Sequence, residues 1–294
     1  MNAVIQTVFA HGFFQNTQVM NALWIGAIVA ILSGAVGIFV VLRGQSFAGH
    51  AVADFGGAGA AISFLLGVDT LWGFLLFGVL SAIGIEIVGS QAKERDLATG
   101  IVLSVALGLE SLFLFLDTHY TGQAGAPMMI LFGSIFLVKS SVLPVLAALT
   151  TASALVLITI FRPLLFASID AELALTRGVP VRWIRFIFII LMALVVEETS
   201  LSIGALMSSA LLIGPAAAAM HLTKRIAPAM LYAALIGLFC MWSGIVLAYD
   251  SFNWPPEGRG WPVSFFVCML TLFCYLAARL SRHRRRAKEA PAHA

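Results

Sequence analysis

The side chains best suited to chemistry in this chain are an imidazole and a carboxylate four residues apart, His50 and Asp54 in SFAGHAVADFGGAGA. On a helix that spacing stacks both groups on one face, one turn apart. An imidazole nitrogen with a carboxylate oxygen suits a borderline divalent cation such as Zn²⁺, Mn²⁺ or Fe²⁺. Two ligands make only half a coordination sphere, so other helices or a second copy of the chain would have to supply the rest. The alternative reading is a His–Asp pair that ties two helices together, because ion pairs are often structural. Four glycines surround the pair, Gly49, Gly56, Gly57 and Gly59. They allow a helix or a substrate to approach the backbone closely, and ordinary helix packing is the expected use of Gly56 to Gly59.

The elements that must position these groups follow from composition. Of 294 residues, 61% are hydrophobic and 11% are charged, with a mean hydropathy of +1.00. Soluble domains carry about 25% charged residues, so a soluble enzyme is excluded, and so is a disordered chain. The protein is read as an all-α, polytopic integral membrane protein. A spanning helix needs about 20 apolar residues. Nine apolar runs are long enough: 19–42, 46–67, 70–90, 97–117, 141–162, 182–200, 203–222, 228–249 and 262–281. A tenth run, 127–138, is too short to cross and is expected to be partly inserted. Long uniform runs exclude a membrane β-barrel. Eight to nine spans are therefore expected in a single permease domain covering 1–294. Its flanks are an N-terminal segment 1–18, with no signal-peptide pattern and a short interfacial helix expected over Thr7 to Phe14, and a basic tail 282–294.

Lys and Arg gather in alternate connections. Every one of the 17 lies in a single class of loops or in the tail, except Lys139 and Arg259. The positive-inside rule then places the C-terminus in the cytoplasm. Ionisable groups at membrane depth are costly and are functional candidates by default. Glu110 lies about 10 Å inward from Asp117 at 1.5 Å per residue. Glu197 and Glu198 fall near the outer end of the sixth run. Glu110 and Glu197 either line an entry path or reach for interfacial water, and Glu198 is expected to do the latter. His221 is read as a headgroup-level residue and His119 as a loop residue placed to touch a partner. The three cysteines, Cys240, Cys268 and Cys274, lie in apolar runs and read as packing residues. The longest inner connection, SIDAELALTRGVPVR, has the form of a short helix opened by Ser168 or Asp170 and stopped by Gly178 and Pro180. Its expected uses are insertion into another protein's groove or a simple amphipathic connection on the membrane. With no nucleotide-binding loop visible, transport would be energised by a partner or by an ion gradient.

Five motifs in order carry a resemblance. VVLRGQSFAGHAVADFGGAGAAISFLLG is similar to the second-helix signature of the membrane permease subunits of zinc, manganese and iron(II) ABC importers. RDLATGIVLSVALGL and ILFGSIFLV resemble two further segments of that family. SIDAELALTRGVPV matches its Asp-x-Glu-Leu-Ala-x-x-x-Gly inner loop, and GALMSSALLIGPAAAA matches its Pro-Ala-Ala stretch. The resemblance runs from about Val41 to about Leu280. It implies a type II ABC importer-like permease in a bacterial inner membrane, working as a homodimer with a cytoplasmic ABC ATPase on each subunit. A metal-binding protein would dock on the outer face, and no nucleic acid is involved. No permanently bound cofactor is implied, only a transported divalent metal. The resemblance also assigns coupling to the ATPase to segment 163–181, with Asp170, Glu172, Leu173, Ala174 and Gly178 at its centre. Gly204 and Pro215 belong to the helix-packing set. The family usually carries Asp before His on this helix, whereas here the order is Gly49-His50-Ala51-Val52-Ala53-Asp54. The ligand set survives with its order reversed, so fine geometry and metal preference do not carry over. The rival classes are an ion-gradient-driven transporter using Glu110 and Glu197 as carriers, and an ABC permease for iron chelates or cobalamin.

Overall fold

The computed structural model describes residues 13–88, 92–121, 125–133, 135–138, 140–254 and 260–289. Among them there is no strand, and each of the nine apolar runs forms a helix. In chain order these are α1 (Thr17–Leu42), α2 (Ser46–Leu65), α3 (Thr70–Val88), α4 (Ala92–Leu116), the short α5 (Ala126–Phe132), α6 (Leu143–Ile169), the short α7 (Ala171–Thr176), α8 (Val181–Ile203), α9 (Ala205–Leu222), α10 (Ile226–Asp250) and α11 (Val263–Glu289). Eight of the long helices are apolar enough to cross a membrane. The ninth, α2, is 20 residues long and so about 30 Å at 1.5 Å per residue, but it is too polar to meet that measure. It need not face lipid, because α3, α4, α8 and α9 enclose it.

Half of α2 is Ala or Gly, and residues 51–54 and 56–61 are all buried. Small side chains let the surrounding helices close on it, as in other membrane bundles. Large apolar residues lie instead on the outward faces of the neighbours, for example Leu76 and Leu80 on α3 and Leu112 and Phe115 on α4. The core divides by level. Toward the end rich in Arg and Lys, Val36, Phe39, Val52, Phe188 and Met192 interlock, with the Phe39 ring edge-on to Phe161 and Phe188. Toward the opposite end, Ile25, Leu146, Ile203, Met241 and Phe266 form a second cluster.

The tenth run breaks into α5 and a short 3₁₀ turn, Ile135–Leu137, and does not cross. Gly133 breaks it at φ +80°, and Gly204 breaks the chain between α8 and α9 at φ +90°. These two left-handed residues lie backbone to backbone, where a Cβ on either would overlap the other segment. Gly204 is thus a junction, and Pro215, also expected in packing, is buried in α9 facing Gly237 of α10.

Three expected boundaries are corrected. The fifth long helix does not stop at Arg162–Pro163: α6 continues through Pro163 to Ile169, so the connection begins at Asp170 and not at 163. Burial of Leu164 and Ala167 holds the extra turns against the proline's missing donor. The basic tail is not separate from 282 onward, since α11 runs on to Glu289; residues 290–294 lie outside the described residues. At the other terminus α1 already begins at Thr17, capped by the Asn16 side chain, and the short interfacial helix expected over Thr7 to Phe14 lies mostly outside the described residues.

Candidate functional site

The site is built on α2. His50 Nε2 stands 3.6 Å from Asp54 Oδ2, with 36% of the imidazole side chain exposed and 1% of the carboxylate. That separation is an ion contact and exceeds a hydrogen bond. Neither Asp54 oxygen has a hydrogen-bond partner, nor has His50 Nδ1. Both groups belong to one helix, so their contact does not tie two helices together.

Two more carboxylates close on the same stretch. Glu197 of α8 is wholly buried, and both its oxygens lack a partner. It occupies space left by Gly56 of α2 and Gly78 of α3, where a Cβ at either position would overlap the carboxylate. Glu110 of α4 is 3% exposed and lies against Gly57 of α2, with Oε1 unpartnered. Asp54, Glu110 and Glu197 lie within electrostatic reach of one another. The packing role expected of Gly56 and Gly57 is therefore different in kind: their missing side chains make room for carboxylates. Gly49 faces Leu212, and Gly59 does meet a helix, the backbone of Gly73 on α3.

Along α2 the groups fall in order from the end poor in Arg and Lys: Glu197 and Glu110 at the level of Gly56 and Gly57, then Asp54, then His50. The stretch from Gly57 to His50 is about 10 Å of helix. Burying several carboxylates without partners is costly. They do not form a finished cage: among the described residues no three His, Cys, Asp or Glu side chains converge to hold a metal ion. A crevice of about 720 Å³ lies elsewhere, lined by Asn16, Met128, Phe136, Tyr249 and Trp261, and includes none of the four groups.

The remaining candidates separate. Glu198 is not an interfacial group reaching for water. It is 1% exposed and accepts a hydrogen bond from Thr150 Oγ1 of α6 at 2.6 Å. Neither Gly78 nor Thr150 is evident from local pattern, since each faces its glutamate from a helix distant in sequence. His221 lies 2.9 Å from Arg282 through Nδ1, and His119 stacks on Phe115 in the turn after α4. Cys240 is buried with its sulfur 3.8 Å from that of Cys274, while Cys268 contacts Met207. None of these joins the α2 group.

At the end rich in Arg and Lys, the short α7 has the expected form. Asp170 is the cap, not Ser168: its carboxylate accepts from Leu173 N at 2.9 Å. Gly178 at φ +80° stops the helix, with Val179 N donating to Ala174 O. Ala174 is buried against the bundle, while Glu172, Leu173 and Leu175 are exposed.

Comparison with known proteins agrees with this architecture. Residues 15–274 match the family model described as ABC 3 transport family. The chain is 32% identical over 245 residues to the manganese import system permease protein ScaB of Streptococcus parasanguinis, covering 83% of this chain and 86% of the relative. It is 30% identical to ScaB of Streptococcus gordonii, covering 95% and 98%. The manganese transport system membrane protein MntC of Halalkalibacterium halodurans is 29% identical, covering 83% and 84%. Among solved structures, PsaBC of Streptococcus pneumoniae in complex with Fab superposes with a TM-score of 0.76 at 26% identity, covering 95% of each chain. An inward-facing metal-chelate type ABC transporter shares the fold, with a TM-score of 0.72 at 20% identity. This multi-pass membrane chain belongs to the ABC 3 transport family.

Proposed function

We propose that the chain is the permease through which an ATP-driven importer passes a divalent transition metal, with Mn²⁺ as cargo. The observation that carries this reading is the file of Glu197, Glu110, Asp54 and His50 along α2, its three carboxylates buried among helices and every member short of hydrogen bonds. Carboxylate oxygens with one imidazole suit Mn²⁺ or Fe²⁺, and no thiolate reaches the file among the described residues. The relatives named as manganese permeases favour the first ion; Zn²⁺ and Fe²⁺ are the competitors to test. Incomplete coordination is an advantage for transit, since an ion must leave as readily as it enters.

In this reading the Arg- and Lys-rich end is cytoplasmic. The metal arrives from a binding protein on the outer face, meets Glu197 and Glu110, and passes Asp54 and then His50. A second copy of the chain completes the coordination sphere. Each copy carries a cytoplasmic ATPase, on which α7 docks through Glu172, Leu173 and Leu175. Asp170 and Gly178 hold α7 in shape, and Ala174 seats it on the bundle. The chain itself makes and breaks no bonds; its residues orient and release the ion.

Uptake of labelled Mn²⁺ tests this in a strain lacking its own manganese importers. The expected result is uptake that needs the cognate ATPase and binding protein, survives collapse of ion gradients, and is lost in His50→Ala. Uptake by the chain alone, driven by a proton or sodium gradient, would replace this reading with that of a secondary transporter.

A further inference from the structure

Arg43 does not run out to solvent from the end of α1, although it lies in a connection at the Arg- and Lys-rich end. It is half-buried, and its guanidinium reaches both elements that flank α7. Nη1 donates to Ser168 Oγ at 3.2 Å, on the last turn of α6. Cζ lies 5.4 Å from the centre of the Phe188 ring on α8, a cation–π distance. Ser168 is itself fixed, donating to Leu164 O at 2.6 Å. Two residues on, Asp170 is shared by two helices. Its N–H closes α6 on Phe166 O, and its carboxylate opens α7. Displacement of α7 therefore acts on the last turn of α6 without an intervening loop.

The other side of Arg43 leads to the metal file. Arg43 caps α1, and only Gly44, at φ +65°, and Gln45 separate it from α2. Gln45 is 3% exposed, donates from its backbone to Val40 O at 2.9 Å, and accepts from Gly49 N at 3.0 Å. The turn is thus bonded to α1 behind it and to the residue before His50 ahead of it. The Arg43 side chain also joins this turn to α6 and α8, which bracket α7.

Resting on the reading above, we propose that Arg43, held by Ser168 and Phe188, is the positioning residue that transmits movement of the ATPase-docking helix α7 to the His50–Asp54 face of α2. Its planar fork is suited to this, because it bonds and stacks at once, and lysine does neither in the same geometry.

The test uses the assembled permease with its ATPase in proteoliposomes, supplied with the Mn²⁺-loaded binding protein, and reads Mn²⁺ moved per ATP hydrolysed. A folding defect lowers both quantities together, so the ratio isolates coupling. In Arg43→Ala the complex still assembles and hydrolyses ATP, and the ratio falls roughly tenfold, the scale of loss when one link of a coupled network is cut. Arg43→Lys and Ser168→Ala lower it by lesser amounts. A wild-type ratio in Arg43→Ala, with His50→Ala still inactive, overturns the proposal and leaves the transport reading standing. If Arg43→Ala does not assemble, Ser168→Ala decides: an unchanged ratio overturns the proposal. Failure of the wild-type complex to move Mn²⁺ with ATP would overturn the transport reading and this one with it.

Discussion

Glu197 and Glu198 stand side by side on α8, each with at most 1% of its surface exposed, yet their carboxylates face different neighbours. Glu198 points to α6 and takes a hydrogen bond from Thr150 on one oxygen, while its Oε1 has no partner among the described residues. Glu197 points to α2 and α3, sits over two glycines, and takes none. Burial of a charge-bearing group is tolerated when partners meet its lone pairs and is otherwise a standing cost. In the proposed reading the two glutamates have different uses, Glu198 tying α8 to α6 and Glu197 meeting a passing cation, and that contrast can be tested by substitution.

Within this pair the largest expected effect is that of Glu197→Gln. ATP-driven Mn²⁺ uptake falls roughly 10- to 100-fold, the usual scale when a group supporting a metal is removed. The melting temperature of the purified protein does not fall, because a neutral amide is cheaper to bury than an unpartnered carboxylate. Thr150→Val comes next, through stability instead of transport. It strips Glu198 of its hydrogen bond and destabilises the protein by about 1–3 kcal/mol, seen as a lower melting temperature with uptake per folded molecule unchanged. Glu198→Gln is smallest: the amide oxygen still accepts from Thr150, so uptake holds and stability shifts by less than about 1 kcal/mol. Loss of uptake in Glu198→Gln as deep as in Glu197→Gln would break the distinction.

Much of the architecture was legible because it is written locally. Each apolar run became a helix, and Asp170 with Gly178 marked α7 by capping chemistry that needs only neighbouring residues. His50 and Asp54 were legible for the same reason, since four residues on one helix fix their relation. Glu197 was set apart from Glu198 as a path candidate, but the surroundings of both were misjudged: which of two adjacent side chains faces α2 depends on the rotation of α8, and Glu198 is buried against Thr150 instead of reaching interfacial water. Gly78, more than a hundred positions from Glu197, gave no sign that it leaves room for a carboxylate. Pro163 gave a false stop: the local cost of a proline was outweighed by the burial of Leu164 beside it and Ala167 one turn on. Arg43 read as one more inner-loop cation, and only its contacts with Ser168 and Phe188 set it apart.

The central claim is that ions cross by way of the Asp54 carboxylate. Its most direct test is ATP-driven Mn²⁺ uptake by Asp54→Asn in proteoliposomes, because the amide keeps the shape and removes the charge. The account predicts that uptake is lost while the ATPase remains bound and the melting temperature is kept. Wild-type uptake by Asp54→Asn would contradict it.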